Sequence, residues 1–137
     1  MSEIKLKAAE VLHPALNAFH TVEGETLRSV WYLEEEGNRE KIIFCFETSS
    51  LVLSADSDDD SVDFWATNDQ DLTDGVNVSD SEPWRRFIGK PFGWGWVTIN
   101  QQGYLDGVLL GFETIVPQLF LNVIASSFKV RVVSEFV

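Results

Sequence analysis

The sequence predicts an α+β domain in which a mainly antiparallel, curled sheet of about seven or eight strands carries one or two short helices. Two observations predict this class. Most β-rich runs are separated by short turns rather than by crossover helices, which favours antiparallel pairing. Glycines interrupt several of the runs, and they permit the bends by which a sheet curls: Gly95, Gly107 and Gly111.

The first half of the chain contains four predicted strands. The segment from Ile4 to Leu12 fits either a short helix that ends before Pro14 or an edge strand. The four strands are Leu27 to Leu33, Lys41 to Phe46, Ser50 to Ala55 and Val62 to Ala66. The second of them is almost continuously apolar, which predicts a central strand. Turns are predicted at Gly37-Asn38 and at the stretch DSDDDS, because Asp, Ser, Asn and Gly favour turn geometry.

The second half begins with a loop and a short helix. Residues 67–79 are polar, and SEPWRRFIGK then predicts a helix capped by Ser81 and ended by Gly89. Trp84, Phe87 and Ile88 share one face of that helix and should dock on the sheet. The remaining strands are Gly95 to Asn100 and Tyr104 to Phe112, which pair as a hairpin, then Leu119 to Ala125 and Phe128 to Val133, which form a hairpin or one bent strand.

Length and charge limit the function. The 137 residues predict a single domain over 1–137, and the net charge is −12. An acidic chain is unsuited to nucleic acid or to anionic membranes, since both require basic surfaces. No apolar run approaches the roughly 20 residues that span a bilayer. The lone Cys45 permits no intramolecular disulfide, and we expect a cytoplasmic protein without a cofactor.

The acidic residues are concentrated in one segment. Thr48 to Trp84 contains ten acidic residues and no Lys or Arg. Within it, Asp56, Asp58 and Asp60 match the start of a calcium loop, but Ser61 and Thr67 replace the Gly and Glu that complete the pattern. We therefore predict no metal site. The alternatives are a solvated turn or a contact patch for a basic partner protein, formed by Asp56, Asp58, Asp59 and Asp60.

Catalytic templates are weak in this sequence. Cys45 lies between two phenylalanines, where burial would make a thiol inert. His13 and His20 are seven residues apart, wider than the usual spacing of zinc ligands. The common hydrolase and phosphate-binding motifs are absent, so an enzyme is not the favoured hypothesis.

The aromatic hairpin is the second candidate site. By strand parity, Trp94, Trp96 and Asn100 share one face of the first strand, opposite Val97. Either the tryptophans point to the core, or they point outward, where they form a partner surface or sit beneath the predicted Trp84 helix. On the returning strand, parity places Tyr104, Asp106, Val108, Leu110 and Phe112 on one face.

The stretch from Phe87 to Val130 carries a family resemblance. FIGKPFGWGWVTINQQGYLDGVLLGF, followed by LNVIASSFKV, resembles small bacterial single-domain proteins of unknown function. That resemblance implies no established catalytic residues. In size and acidity the chain is also similar to immunity proteins, which neutralise a cognate toxin by binding it.

Three hypotheses follow. The first is a non-enzymatic acidic binding protein that neutralises a basic partner through the acidic residues and exposed aromatics, and an immunity protein is its narrower form. The second is a small-ligand or enzymatic domain with a cleft near Asn100, Tyr104 and Asp106. The third is a structural or assembly subunit that pairs through a sheet edge.

Overall fold

The computed structural model describes residues 16–35, 39–56 and 58–133, and within these ranges the chain forms a helix, nine strands and a 3₁₀ turn. The helix α1 spans residues 16–22. The strands of the first half are β1 (Ser29–Glu35), β2 (Arg39–Cys45), β3 (Ser50–Asp56), β4 (Ser61–Thr67) and β5 (Val76–Asn77). The 3₁₀ turn Trp84–Arg86 precedes β6 (Phe92–Ile99), β7 (Leu105–Phe112), β8 (Leu119–Ile124) and β9 (Ser127–Val132).

The strands divide into two antiparallel sheets. The first sheet has the order β4-β3-β2-β1-β5, and the second has the order β6-β7-β8-β9. The prediction of a mainly antiparallel fold is confirmed, whereas a single curled sheet is wrong. Alternation identifies the buried side of each strand, but it cannot tell whether that side faces the same sheet curled over or a second sheet.

The two sheets face each other across a shared core. Buried side chains from β2, β3 and β4 belong to the same apolar cluster as buried side chains from β6, β7 and β8. Phe44 of the first sheet meets Phe112 of the second, with 6.4 Å between ring centroids. We call the side of each sheet that is turned away from this core its outer face.

The outer face of the first sheet carries a second, smaller cluster. Leu33, Ile43 and Val52 are buried there, and Leu72 from the segment after β4 packs against them. This cluster explains why β2 and β3 are apolar on both faces, and it confirms that β2 is a central strand. Cys45 is half-buried at the edge of this cluster. The sequence predicted a position in the main core, and Cys45 does not lie there.

The predicted short helix at SEPWRRFIGK is wrong. Only Trp84–Arg86 forms a single 3₁₀ turn, and Ser81 makes no side-chain cap because Pro83 occupies the cap position. The predicted docking holds, since Trp84 packs edge-on against Phe44 at 5.8 Å between ring centroids. Gly89 ends the turn with φ +86°, as the sequence indicated.

The remaining strand predictions are close to the observed bounds. The last two strands form a hairpin, in which Ala125 and Ser126 both adopt positive φ at the turn. The predicted loop over residues 67–79 contains the two-residue strand β5, which pairs with β1. The Ile4 to Leu12 segment, His13 and the Gly37-Asn38 turn lie outside the described residues, and the sequence did not predict α1.

Helix α1 closes one end of the core by resting on a glycine. The ring of Phe19 lies on the backbone of Gly95, so close that a Cβ there would stand 2.6 Å from the Phe19 Cδ1. The same ring contacts Phe64 of the first sheet and Phe92 of the second, at centroid distances of 5.2 and 5.9 Å. The glycine in β6 therefore allows one aromatic side chain to join both sheets.

A carboxylate ties the two sheets together at the other side of the core. Glu40 of β2 accepts hydrogen bonds from the Tyr32 hydroxyl, from the Ser127 hydroxyl at 2.9 Å and from the Phe128 backbone N–H at 2.8 Å. Burial works against ionisation of Glu40, but these hydrogen bonds outweigh it and lower the pKa of the carboxyl. Burial and the bond to Glu40 raise the pKa of Tyr32.

We expect Gly95→Ala to destabilise the protein by about 1–3 kcal/mol, because the added methyl group overlaps the Phe19 ring. Urea denaturation measures the change. In a Phe19→Leu background the penalty should shrink, which gives a positive coupling in a double-mutant cycle. Equal penalties in the two backgrounds would contradict the contact.

We expect Glu40→Gln to lower the free energy of unfolding at neutral pH by about 1–3 kcal/mol, because three donors lose a charged acceptor. The folded carboxyl has a lowered pKa, so its contribution is complete above the unfolded value of about 4.3 and disappears as pH falls through the folded value. Denaturation at several pH values should show wild type and variant converging in acid. Glu23→Gln, at an exposed position, serves as control. A difference in unfolding free energy between wild type and Glu40→Gln that does not change with pH would contradict the role of the ionised Glu40 carboxylate.

Candidate functional site

Trp94 and Trp96 lie on the outer face of the second sheet. Trp94 is 48% exposed and Trp96 is half-buried, while Val97 on the opposite side of β6 packs against the main core. Of the two alternatives that parity allowed, the outward one is observed. The row continues across the sheet, since Trp96 pairs with Leu109, and Leu109 pairs with Phe120.

A bulge at Asp106 changes the predicted parity of β7. Thr98 pairs with Gly107 and Ile99 pairs with Leu105, so Asp106 is the extra residue between them. Leu105, Val108 and Leu110 consequently all point to the core. The predicted grouping of Asp106 with Val108 is therefore wrong, and the Asp106 carboxylate instead accepts a hydrogen bond from the Thr98 hydroxyl at 2.7 Å.

Asn100 and Tyr104 form the turn between β6 and β7. The Asn100 side-chain oxygen accepts the backbone N–H groups of Gln102 and Tyr104, at 2.9 and 3.2 Å. Gly103 completes the turn with φ +86°. Asn100 is thus occupied in holding the hairpin turn.

The acidic turn between β3 and β4 also satisfies its own backbone. Asp56 accepts the N–H of Asp58, and its Oδ2 lies 3.5 Å from the Arg39 Nη2. Asp59 accepts the N–H of Ser61. Asp60 reaches across to the other sheet and accepts the N–H of Ser126 at 2.8 Å. Asp58 and Asp59 are both exposed, and Asp58 is the one of the four whose carboxylate accepts no backbone N–H in the described residues, so its contribution is mainly charge.

Three turns gather at one end of the molecule. The antiparallel register of β6 to β9 puts the Asn100 to Tyr104 turn and the Ala125-Ser126 turn at the same end, and the Asp60 bond brings the acidic turn there. Trp94 lies towards the opposite end, where it pairs with Gly111. The predicted site residues therefore do not form one patch.

A feature that the sequence did not predict lies on the outer face of the first sheet. An opening of about 570 Å³ is lined by Leu33, Glu34, Lys41, Gln70, Asp71, Thr73 and Asp74. Trp65 on the neighbouring edge strand is 38% exposed, and the Lys41 Nζ stands 5.7 Å from its ring centroid. The run of acids after β4 was visible in the sequence, but its position over this sheet depends on the packing of Leu72.

Two acids of this region, Asp63 and Asp71, have shifted pKa values. Burial raises the pKa of Asp63, and the nearby charges of Asp56 and Asp59 raise it further, although Arg39 opposes them. Hydrogen bonds from Thr73 lower the pKa of Asp71. We call the surface formed by Asp63, Asp71, Asp74 and Trp65, together with the adjoining turn Asp58 to Asp60, the acid-rich face.

A smaller groove lies between α1 and β6. Its volume is about 130 Å³, and it is bordered by Leu16, Phe19, His20, Glu23 and residues 92–95. His20 and Glu23 stand at its polar rim. The size suits a single side chain.

Two features are absent from the described ranges. There, no group of three or more His, Cys, Asp or Glu side chains is arranged to hold a metal ion. Likewise, no helix in the part of the chain that the structure describes is long and apolar enough to cross a membrane.

Comparison with known proteins gives a family and nothing further. The sequence model of a family of unknown function (DUF6334) matches residues 12–136. The match confirms the resemblance to a family of unknown function, over a single small domain. No curated protein and no solved structure matches the chain.

In the acidic turn, substitutions can distinguish the acids that accept backbone hydrogen bonds from the acid that contributes mainly charge. We expect Asp60→Ala to cost about 1–3 kcal/mol of stability, because Ser126 loses its acceptor and alanine is strained at φ 54°. Asp60→Asn keeps the acceptor and tolerates that backbone, so it should cost less. Asp58→Ala should stay within about 0.5 kcal/mol of wild type in the same denaturation assay. Equal losses at both positions would contradict the division.

Proposed function

We propose a function from geometry alone, because the chain belongs to a family of unknown function (DUF6334) and membership brings no activity with it. The protein is a non-enzymatic binding protein, and it binds a basic partner protein through the acid-rich face of its first sheet. The observation that carries the proposal is the opening flanked by Asp71 and Asp74, with an exposed tryptophan beside it.

The acid-rich face combines the two features that protein recognition uses. Its carboxylates supply a negative field that accelerates encounter with a basic surface. Trp65 supplies the large apolar contact that typically dominates binding energy. Lys41 stands against the indole ring, so an arriving Arg or Lys would compete for a ring face that already accommodates a cation.

The net charge of the chain also favours a basic partner. The chain as a whole carries −12, so a basic partner gains favourable interactions at long range before it makes contact. The acidity matches the character of immunity proteins, and neutralising a basic toxin by covering its surface is the finer form of the proposal. A single cysteine fits the cytoplasmic location in which such proteins act.

The hypothesis of a cleft near Tyr104 and Asp106 has weaker geometric support. Asp106 is engaged by Thr98 on the outer face of the second sheet, and Asn100 holds the turn. These contacts give both side chains a role in shaping the β6–β7 hairpin. The hypothesis stays a prediction.

The test removes charge from the acid-rich face in one variant and the exposed indole in another. A partner captured from the source cell is titrated against wild type, against Asp71→Asn with Asp74→Asn, and against Trp65→Ala. We expect each variant to weaken binding about tenfold or more, and we expect wild-type affinity to fall with added salt. Asp58, Asp59 and Asp60 changed to Asn should weaken it further, because the turn keeps its acceptors and loses its charge.

The matched control removes the same charge elsewhere. Glu23→Gln with Glu113→Gln changes the net charge equally at exposed sites away from the acid-rich face. This control should retain wild-type affinity apart from a small long-range effect. If the control weakens binding as much as the test pair, or if the partner is insensitive to salt, the proposal fails.

A further inference from the structure

In the described part of the chain, four strands form the edges of the two sheets: β4, β5, β6 and β9. An exposed edge offers unpaired backbone groups to any passing strand, so soluble proteins usually protect it. β5 is only two residues long, β9 carries Lys129 and Arg131, and β4 carries Asp63. Each of these three edges has one of the usual forms of protection.

β6 lacks such protection. Its eight residues, Phe92–Ile99, include no charged side chain, and Trp94 and Ile99 are 48% and 39% exposed. Only its first residue is bonded on the open side, where Phe92 accepts the N–H of Gly24 and donates to Glu25. Among residues 16–35, 39–56 and 58–133, no strand lies beside the rest of that edge.

We infer that the open edge of β6 is a homodimer interface, at which a second copy of this chain adds its own β6 in antiparallel orientation. The two four-stranded sheets then join across a twofold axis into one eight-stranded sheet. The pairing is isologous, so both copies satisfy their edge with the same contact and the assembly closes at two. This inference is independent of the proposed basic partner, which uses the other sheet.

Charge favours a second copy over a basic segment at this edge. β6 itself presents no carboxylate to a basic strand, whereas an uncharged strand pairs with it without desolvating any charge. The acids near the Phe92 end are Glu23, Glu25 and Glu113, and the Glu25 carboxylate already accepts hydrogen bonds from Thr48. In an antiparallel pair, the Phe92 end of one β6 lies beside the Ile99 end of the other β6. Near Ile99, the Asp106 carboxylate on β7 already accepts a hydrogen bond from the Thr98 hydroxyl.

The side chains beside β6 extend the contact beyond backbone bonds. Trp94 and Trp96 would continue their row across the twofold axis on the outer face. Leu16, at the groove beside the same strand, is exposed. A specific interface generally needs roughly 1,000 Å² of buried surface, so the side chains that flank the edge must contribute to it.

Sedimentation equilibrium of the full chain tests the inference, from about 1 µM to about 1 mM. We expect the mass to rise from the 15.5 kDa of one chain towards twice that value. Added salt should strengthen the dimer, because it screens repulsion between two chains of charge −12. Salt weakens the proposed basic partner's binding, so failure of one proposal is distinguishable from failure of the other.

Two matched variants locate the interface. Trp96→Lys places a charge on the open edge and should weaken the dimer at least tenfold. Trp65→Lys makes the same change on β4, the edge strand of the other sheet, and should leave the dimer unchanged. A mass of one chain at all concentrations overturns the inference, and so does a dimer that is sensitive only to Trp65→Lys.

Amide hydrogen exchange on wild type decides the matter even if Trp96→Lys fails to fold. Amides of β6 that point away from β7 should become protected as concentration rises, while the outward amides of β9 stay unchanged. Protection of the β6 amides already in the dilute monomer would mean that another part of the chain occupies the edge. That result, or protection that appears at β9 instead, overturns the inference.

Discussion

The carboxylate of Glu40 fixes the relation between the two sheets, and the surfaces of the molecule depend on that relation. It belongs to the first sheet, and two of its three donors lie at the start of β9 in the second. On the other side of the core, Phe19 contacts rings from both sheets above Gly95. A polar contact at one side and an aromatic contact at the other prevent the sheets from sliding, so each outer face has a defined direction.

Because the sheets pack face to face, their outer faces point away from each other and can differ in chemistry. The first carries Asp71 and Asp74 beside an opening. The second carries Trp94 and Trp96 on an edge strand without charges. The acids and the aromatics that the sequence suggested as one surface are therefore two surfaces, and each is suited to a different kind of contact.

The sequence could predict the strands, because alternation and turn residues are local signals. Val62, Asp63, Phe64 and Trp65 alternate in burial as expected. It could not predict how they assemble: the bulge at Asp106 depends on pairing with Thr98 and Ile99, residues of another strand. For that reason, strand parity predicted the wrong grouping of Asp106 with the other side chains of β7. The opening beside Lys41 was missed similarly, because it exists only once Leu72 packs over the first sheet.

The acids themselves separate into two groups. Asp56, Asp59 and Asp60 accept backbone N–H groups and hold the turn that touches the second sheet. Burial and the charges of Asp56 and Asp59 raise the pKa of Asp63, and the Arg39 charge offsets them only in part. Repulsion of this kind costs stability, and turn geometry alone does not require it. Acids retained at such a cost are the ones that an attractive role towards a basic surface would explain, as binding sites commonly give up stability for function.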